Sequence, residues 1–206
     1  QAVHYVDYAV GELIQMLKDN GLYEDTMIVI YGDHFGLQPQ ENKPEDISRK
    51  LGIAYHDLIS RYNIPLIIHV PGKSPRQVID RVGGQADILP TVANLLGISL
   101  KKENFLSFGS DLLNVKRNVV GVRYYMPTGS FFTDEIMFVP GISFDDGTAV
   151  DLNTLQPVED ISRFRSDYDY IMDLLSLSDT YVESLPRRDS EDATDPADFM
   201  DSADTP

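Results

Sequence analysis

The start of the chain combines a helical pattern with a strand-like one. Apolar residues recur at helical spacing over residues 2–19, and Asn20-Gly21 supplies a stop signal, which together predict a helix there. The run over 26–31 is short, apolar and β-branched, as is typical of a strand buried on both faces of a parallel sheet. The chain therefore opens with a helix that leads into a strand.

The next seventy residues continue this alternation. Residues 37–48 are polar and turn-rich and predict a loop, and a short helix is expected over 54–61. A second strand is predicted over 65–70, and a helix over 86–97 whose final glycine is its C-terminal cap. Asp87 is predicted to be the N-cap of that helix, where its carboxylate would accept a backbone N–H.

The pattern changes after residue 115. Short apolar segments with turns between them predict a small antiparallel sheet of hairpins, one of them at the turn signal 145–148. A last helix is predicted near 160–178. The organisation is therefore α/β over 1–115, a small antiparallel subdomain plus helix over 116–185, and an acidic tail over 186–206 with a disordered composition.

Composition excludes some functions. In the 206 residues the hydrophobic content of 42% is enough for a core, while the net charge of −16 argues against nucleic acid as a partner. The absence of cysteine excludes disulfides and thiolate metal sites. The start has neither Met nor a signal-peptide pattern, so the chain is expected to be a piece of a longer protein.

The strongest chemical signal follows the first predicted strand. Asp33 and His34 come directly after Gly32 there, and ligands in α/β folds bind outside the carboxyl ends of strands. A carboxylate beside an imidazole suits Mn²⁺, Zn²⁺ or Fe²⁺. The alternative is that Asp33 caps a turn and His34 is only a polar strand-end residue. A catalytic metal needs further ligands, and neither His56 nor His69 obviously supplies one.

Three segments together resemble a known family. They are Ile-Tyr-Gly-Asp-His-Phe-Gly at 30–36, the strand Ile-Pro-Leu-Ile-Ile-His at 64–69, and Ala-Asp-Ile-Leu-Pro-Thr at 86–91. They resemble the alkaline phosphatase/sulfatase superfamily, and Ser-Phe-Gly-Ser-Asp-Leu-Leu at 107–113 is similar to its lipoteichoic acid synthase branch. The resemblance implies an α/β/α sandwich with a small C-terminal antiparallel subdomain and a closing helix.

The resemblance also implies a reaction. Family members hold one Mn²⁺, and the ligands include an Asp-His pair that matches Asp33 and His34. The resemblance therefore implies Mn²⁺ as the cofactor of this chain, with Mg²⁺ or Zn²⁺ as alternatives. A threonine nucleophile would take glycerol phosphate from phosphatidylglycerol and pass it to a glycolipid or a glycerol phosphate chain. The resemblance places that threonine upstream of this chain, in the N-terminal half of the catalytic domain, so no catalytic nucleophile is expected here and the fragment alone is expected to be inactive.

Weaker candidates and alternatives stay open. Lys43 and Arg123 could contact an anionic substrate. The alternatives are that Lys43 is a solvated surface lysine and that Arg123 forms a structural ion pair. Asp87 could ligate a second metal, although the helix cap is favoured. A sulfatase, phosphatase or phosphoethanolamine transferase of the same superfamily, or a fragment that binds no metal, is the alternative function. The expected location is the extracellular face of a Gram-positive cell membrane, or the medium after release.

Overall fold

The computed structural model describes residues 2–35, 43–73 and 76–186. Its helices are α1 (Ala2–Asp19), α2 (Pro44–Leu51), α3 (Ile88–Leu95) and α4 (Arg165–Ser184). Its strands are β1 (Ile28–Tyr31), β2 (Leu66–His69), β3 (Val120–Val122), β4 (Ser130–Phe132), β5 (Ile136–Val139), β6 (Thr148–Asp151) and β7 (Pro157–Val158). Short 3-10 turns at 23–25, 85–87 and 162–164 precede β1, α3 and α4.

The predicted first helix is confirmed with its stop signal. α1 ends at Asp19, and Gly21 takes the left-handed conformation with φ +69°. That conformation favours glycine, since a side chain there would be strained. The Leu22 N–H then donates to the Leu17 carbonyl at 2.8 Å and closes the helix end.

The prediction of a buried parallel strand was wrong. β1 pairs with β2 in the antiparallel sense, with Ile28 opposite His69 and Tyr31 opposite Leu66. Both strands are only partly buried. An apolar run indicates that a strand is buried, but not whether it pairs in the parallel or the antiparallel sense. The path of the chain between the two strands sets that direction. Here the chain between the strands comes back to the end of β1, where the Gly32 N–H donates to the Pro65 carbonyl at 3.0 Å. β2 therefore starts beside the end of β1 and runs antiparallel to it.

The segment between these strands also differs from its prediction. A helix, α2, occupies 44–51, part of the expected loop, whereas the expected helix at 54–61 is a series of turns. The remainder of that loop, residues 37–42, lies outside the described residues. Pro44 at the start of α2 and Gly52 at φ +67° after it are the standard boundary signals of a short helix. The polar composition of this segment favoured a loop, so these boundary signals did not lead to a predicted helix.

The second half forms the predicted antiparallel meander. Its strand order is β3-β4-β5-β6-β7, with every neighbouring pair antiparallel. α4 packs on β3 and β4 and is longer than expected, reaching Ser184. The buried core comprises Phe131, Ile136, Phe138, Phe144, Ala149, Phe164 and Ile171. Tyr124 and Tyr125, which follow β3, are exposed. The tail over 187–206 lies outside the described residues.

The first half buries far less apolar surface. In α1 the side chains of Val3, Val6 and Met16 are exposed, and in the two-stranded sheet Tyr31 and Ile67 are 50% and 57% exposed. Apolar surface of this extent on a helix and a sheet usually marks a contact with other polypeptide. Among the described residues, the buried core lies almost wholly in the antiparallel subdomain. Apolar side chains of α1, β1 and β2 are exposed to solvent.

The loop before β6 predicts how stability depends on pH. The Asp146 carboxylate accepts hydrogen bonds from the Ile142 N–H at 2.9 Å and the Ser143 N–H at 2.7 Å, which lower its pKa. Because the folded pKa lies below the unfolded one, this stabilisation is present above pH ~4 and is lost as the pH falls through the folded pKa. Urea unfolding from pH 6 to 3 should therefore show falling stability, with a shallower fall in Asp146→Ala. Asp173→Ala, at an exposed carboxylate on α4, is the control; identical pH profiles for wild type and Asp146→Ala would contradict the assignment.

Candidate metal site

The Asp33–His34 pair lies on the turn that leaves β1. Gly32 precedes it, and a Cβ there would lie 2.8 Å from the Ile64 Cβ, so only glycine permits this close approach to the segment before β2. The Gln85 side-chain amide donates to the Gly32 carbonyl at 3.0 Å and to the Asp33 carbonyl at 2.6 Å. The turn is thereby fixed by two segments distant in sequence.

The two side chains of the pair converge in open solvent. His34 Nε2 lies 3.5 Å from Asp33 Oδ1, and the side chains are 68% and 84% exposed. His34 Nδ1 lies 2.7 Å from the Phe35 carbonyl oxygen, which can only accept a hydrogen bond. The neutral imidazole therefore carries its proton on Nδ1, leaving the Nε2 lone pair directed to the carboxylate side.

This arrangement fits two ligands of a divalent cation. Histidines that bind metals usually donate their other ring N–H to a carbonyl or a carboxylate, as His34 does to Phe35. Oxygen and nitrogen donors together suit Mn²⁺ or Zn²⁺ better than Mg²⁺, which prefers oxygen alone. Within residues 2–35, 43–73 and 76–186, no group of three His, Cys, Asp or Glu side chains could hold a metal ion. The described chain thus brings together two side chains that could ligate a cation, without a third.

Asp87 has a structural role other than the predicted helix cap. It stands before α3 but makes no side-chain cap bond to that helix. Its carboxylate, in a residue only 4% exposed, accepts hydrogen bonds from the Gly84 N–H at 2.8 Å, the Ser110 N–H at 2.6 Å and the Asn118 amide at 2.8 Å. Both carboxylate oxygens are engaged, so Asp87 joins three segments and leaves no oxygen directed at a cation.

The rest of the Asp-Ile-Leu-Pro-Thr motif continues this structural junction. The Thr91 hydroxyl donates to the Asp87 carbonyl at 2.6 Å and accepts from the Leu112 N–H at 3.0 Å. Gly109 packs against the same turn, where a Cβ would overlap the Ala86 carbonyl oxygen. The motifs at 86–91 and 107–113 are therefore two sides of one packed junction.

The two substrate-binding candidates have different surroundings. Lys43 is exposed at the N-terminal boundary of α2. The Arg123 guanidinium forms a bidentate ion pair with Asp179 of α4, at 2.7 and 2.9 Å. That pairing raises the pKa of Arg123 and lowers the pKa of Asp179. The ion pair weighed as the alternative for Arg123 is thus present, and its contact with substrate stays a prediction.

The remaining histidine of the sheet lies far from the pair. His69 is paired with Ile28, at the opposite end of β1 from Asp33. Its ring stacks on Tyr23 at a centroid distance of 4.8 Å. The ring therefore packs against the segment before β1 and not against the pair. None of the helices in the described part of the chain is long and apolar enough to span a bilayer.

Comparison with known proteins identifies the family. A model of the family Sulfatase matches residues 1–98. The solved lipoteichoic acid synthase LtaP from Listeria monocytogenes shares 38% identity and a TM-score of 0.80, covering 91% of this chain and 46% of the LtaP chain. The chain belongs to the lipoteichoic acid synthase-like branch of the sulfatase family. It corresponds to the C-terminal part of such a catalytic domain, and the predicted fold class is confirmed.

Curated proteins that are similar to this chain point to the same family. The lipoteichoic acid synthase-like YvgJ of Bacillus subtilis is 36% identical over 151 residues, 71% of this chain and 23% of YvgJ. The lipoteichoic acid synthase of Staphylococcus aureus is 34% identical over 162 residues, 77% of this chain and 24% of that protein. The matched part of the chain spans about a quarter of the length of these curated relatives.

Sequence reasoning found the pair but missed its supports. Gln85 carried no signal, because a glutamine before a predicted helix has no distinctive spacing. Phe35 lies within the segment 30–36 that resembles the family, but nothing in the sequence shows that its carbonyl orients His34. Gln85 acts through a contact between distant segments and Phe35 through its backbone carbonyl, and neither leaves a pattern in a single sequence.

Proposed function

We propose that this chain supplies two metal ligands, Asp33 and His34, to a Mn²⁺-dependent transferase of lipoteichoic acid synthesis. The reaction would move glycerol phosphate from phosphatidylglycerol to a glycolipid or a growing glycerol phosphate chain. The observation that carries the proposal is the convergence of Asp33 Oδ1 and His34 Nε2, 3.5 Å apart, on a turn held by Gln85.

The residues of the pair have distinct tasks in this proposal. The Asp33 carboxylate offsets cation charge, and His34 offers a neutral nitrogen in one fixed tautomer. A bound divalent cation would lower the pKa of a coordinated hydroxyl and neutralise charge that develops on phosphoryl oxygens. Lys43 and Arg123 are proposed to contact anionic substrate, and Arg123 would then exchange its Asp179 partner for a phosphate.

The nucleophile and the other ligands are proposed to come from the upstream half of the catalytic domain. That half would cover the open apolar surface of α1, β1 and β2. The 46% coverage of the LtaP chain leaves enough polypeptide for this purpose. The fragment alone is therefore proposed to be inactive, and the complete enzyme to act at the extracellular face of the cell membrane, or in the medium after release.

Titration with Mn²⁺ tests the ligand assignment on this chain itself. Wild type should bind Mn²⁺ weakly, and Asp33→Ala should remove that binding, because a single imidazole with water is a poor site for a hard cation. Free Mn²⁺ is measured by electron paramagnetic resonance. Asp25→Ala changes an exposed carboxylate near the opposite end of β1 and should leave the affinity unchanged. Equal affinity in wild type and Asp33→Ala would reject the assignment.

A further inference from the structure

An aromatic cluster connects the antiparallel subdomain to the Asp33–His34 pair. The Phe35 ring meets Tyr125 edge-on at a centroid distance of 5.1 Å and an interplanar angle of 87°. It also meets Tyr62 at 5.5 Å and 71°. These are edge-to-face geometries, in which the positive edge of one ring faces the negative face of the other.

A guanidinium and a hydrogen bond complete this cluster. Arg61 lies over Phe35 and over Tyr62, each with its Cζ 4.9 Å from the ring centroid. The Tyr62 hydroxyl donates to the Tyr125 carbonyl at 3.4 Å, and the Tyr62 ring lies 6.5 Å from that of Phe132 in β4. Phe35 is thereby held by residues of two other segments, one of them the β3–β4 loop.

Phe35 is also the residue that orients His34. Its carbonyl accepts the His34 Nδ1 proton at 2.7 Å, so movement of the Phe35 backbone changes which nitrogen carries the proton and where Nε2 points. The ring contacts and the carbonyl contact belong to the same residue, so restraint of the ring limits the movement of the backbone that carries the carbonyl. Restraint of the ring by Tyr125 therefore restrains the imidazole.

The β3–β4 loop is built in an unusual way at this point. Tyr124 has φ +75°, and the Tyr125 N–H donates to the Arg123 carbonyl at 3.0 Å, which together form a γ-turn of the rare, strained kind. A bulky residue persists in this conformation only when its surroundings impose it, and such strain concentrates at functional sites. The turn presents the Tyr125 ring to Phe35.

We propose that Tyr125 and Phe35 are positioning residues for the metal ligands: Tyr125 holds the Phe35 ring, and the Phe35 carbonyl holds His34 in the tautomer that leaves Nε2 for the cation. This inference rests on the proposed function of the pair. It assigns to the antiparallel subdomain a role in the metal site, although Tyr125 is distant in sequence from both ligands.

The test compares Tyr125→Ala with Tyr125→Phe. The alanine variant removes the ring, and the phenylalanine variant removes only a hydroxyl. Tyr125 is 66% exposed, so neither change should unfold the chain. Mn²⁺ affinity should fall about threefold in Tyr125→Ala and stay at the wild-type value in Tyr125→Phe, because one edge-to-face pair changes an equilibrium constant by a factor of about 2 to 10. Equal affinity in all three proteins would overturn the proposal.

A second readout needs no metal. The ¹⁵N spectrum of the His34 ring, assigned with His34→Ala and recorded at about pH 9 where histidine is neutral, reports which nitrogen carries the proton. Tyr125→Ala and Phe35→Leu should raise the fraction with the proton on Nε2, and Tyr125→Phe should not. Unchanged tautomer populations in both variants would overturn the proposal. Failure of the proposed function appears separately, as equal Mn²⁺ affinity in wild type and Asp33→Ala.

Discussion

Asp33→Ala is expected to reduce diacylglycerol release from phosphatidylglycerol more than about 100-fold in the intact catalytic domain, meaning this chain joined to its upstream half. Loss of a group that merely supports a metal ligand costs about 10- to 100-fold, and loss of a ligand should cost more. The reason is the position of Asp33 Oδ1, which faces His34 Nε2 across 3.5 Å with no second carboxylate in the described residues to replace it.

The matched control for this experiment is Asp25→Ala, which removes another exposed carboxylate near the other end of β1. Its rate should equal that of wild type. His34→Ala should lose activity to a similar extent as Asp33→Ala. Diacylglycerol release that survives in both variants would reject the proposed role of the pair, whatever the Mn²⁺ content of the protein.

Asp87→Ala is expected to lower the free energy of unfolding by about 3 kcal/mol or more. The substitution removes the acceptor of the Gly84 N–H, the Ser110 N–H and one N–H of the Asn118 amide, whose remaining hydrogen bond goes to the Val82 carbonyl. Each unsatisfied buried donor costs at least about 1 kcal/mol. Urea unfolding at neutral pH, followed by circular dichroism, measures the change.

Two further variants test whether the loss of stability is specific to the buried Asp87 carboxylate. Asp80→Ala removes an exposed carboxylate from the preceding segment and should change stability by less than about 0.5 kcal/mol. Asp87→Asn keeps the size of the side chain but places an NH₂ group where an oxygen accepted, so it should also destabilise. A value for Asp87→Ala close to that of Asp80→Ala would show that the junction contributes little.

The fold was predictable where local signals agree with the tertiary structure. α1 and the antiparallel meander follow from hydrophobic periodicity and from turn residues such as Asn20-Gly21 and the run at 145–148. The direction of β2 was not predictable, since an apolar run is the same in parallel and antiparallel pairing. α2 was missed because its boundary signals, Pro44 and Gly52, lie within a segment of polar composition.

The candidate site was predictable only as far as its adjacent residues. Asp33 and His34 follow a strand directly, so the turn that presents them can be read from the sequence. Gln85 and Tyr125 reach that turn through tertiary contacts across large sequence separations. Asp87 shows the converse limit, since a carboxylate before a helix suggests a cap, while its actual partners Ser110 and Asn118 become neighbours only after folding.

The most direct test of the central claim is the coordination of Mn²⁺ by His34. Electron spin echo envelope modulation of Mn²⁺ bound to this chain detects a directly coordinated histidine nitrogen. If His34 is a ligand, a nitrogen modulation should be present in wild type and in Asp25→Ala, should change when histidine is labelled with ¹⁵N, and should vanish in His34→Ala. Bound Mn²⁺ without nitrogen modulation in wild type, or the same modulation in His34→Ala, would contradict the assignment of His34 as a ligand.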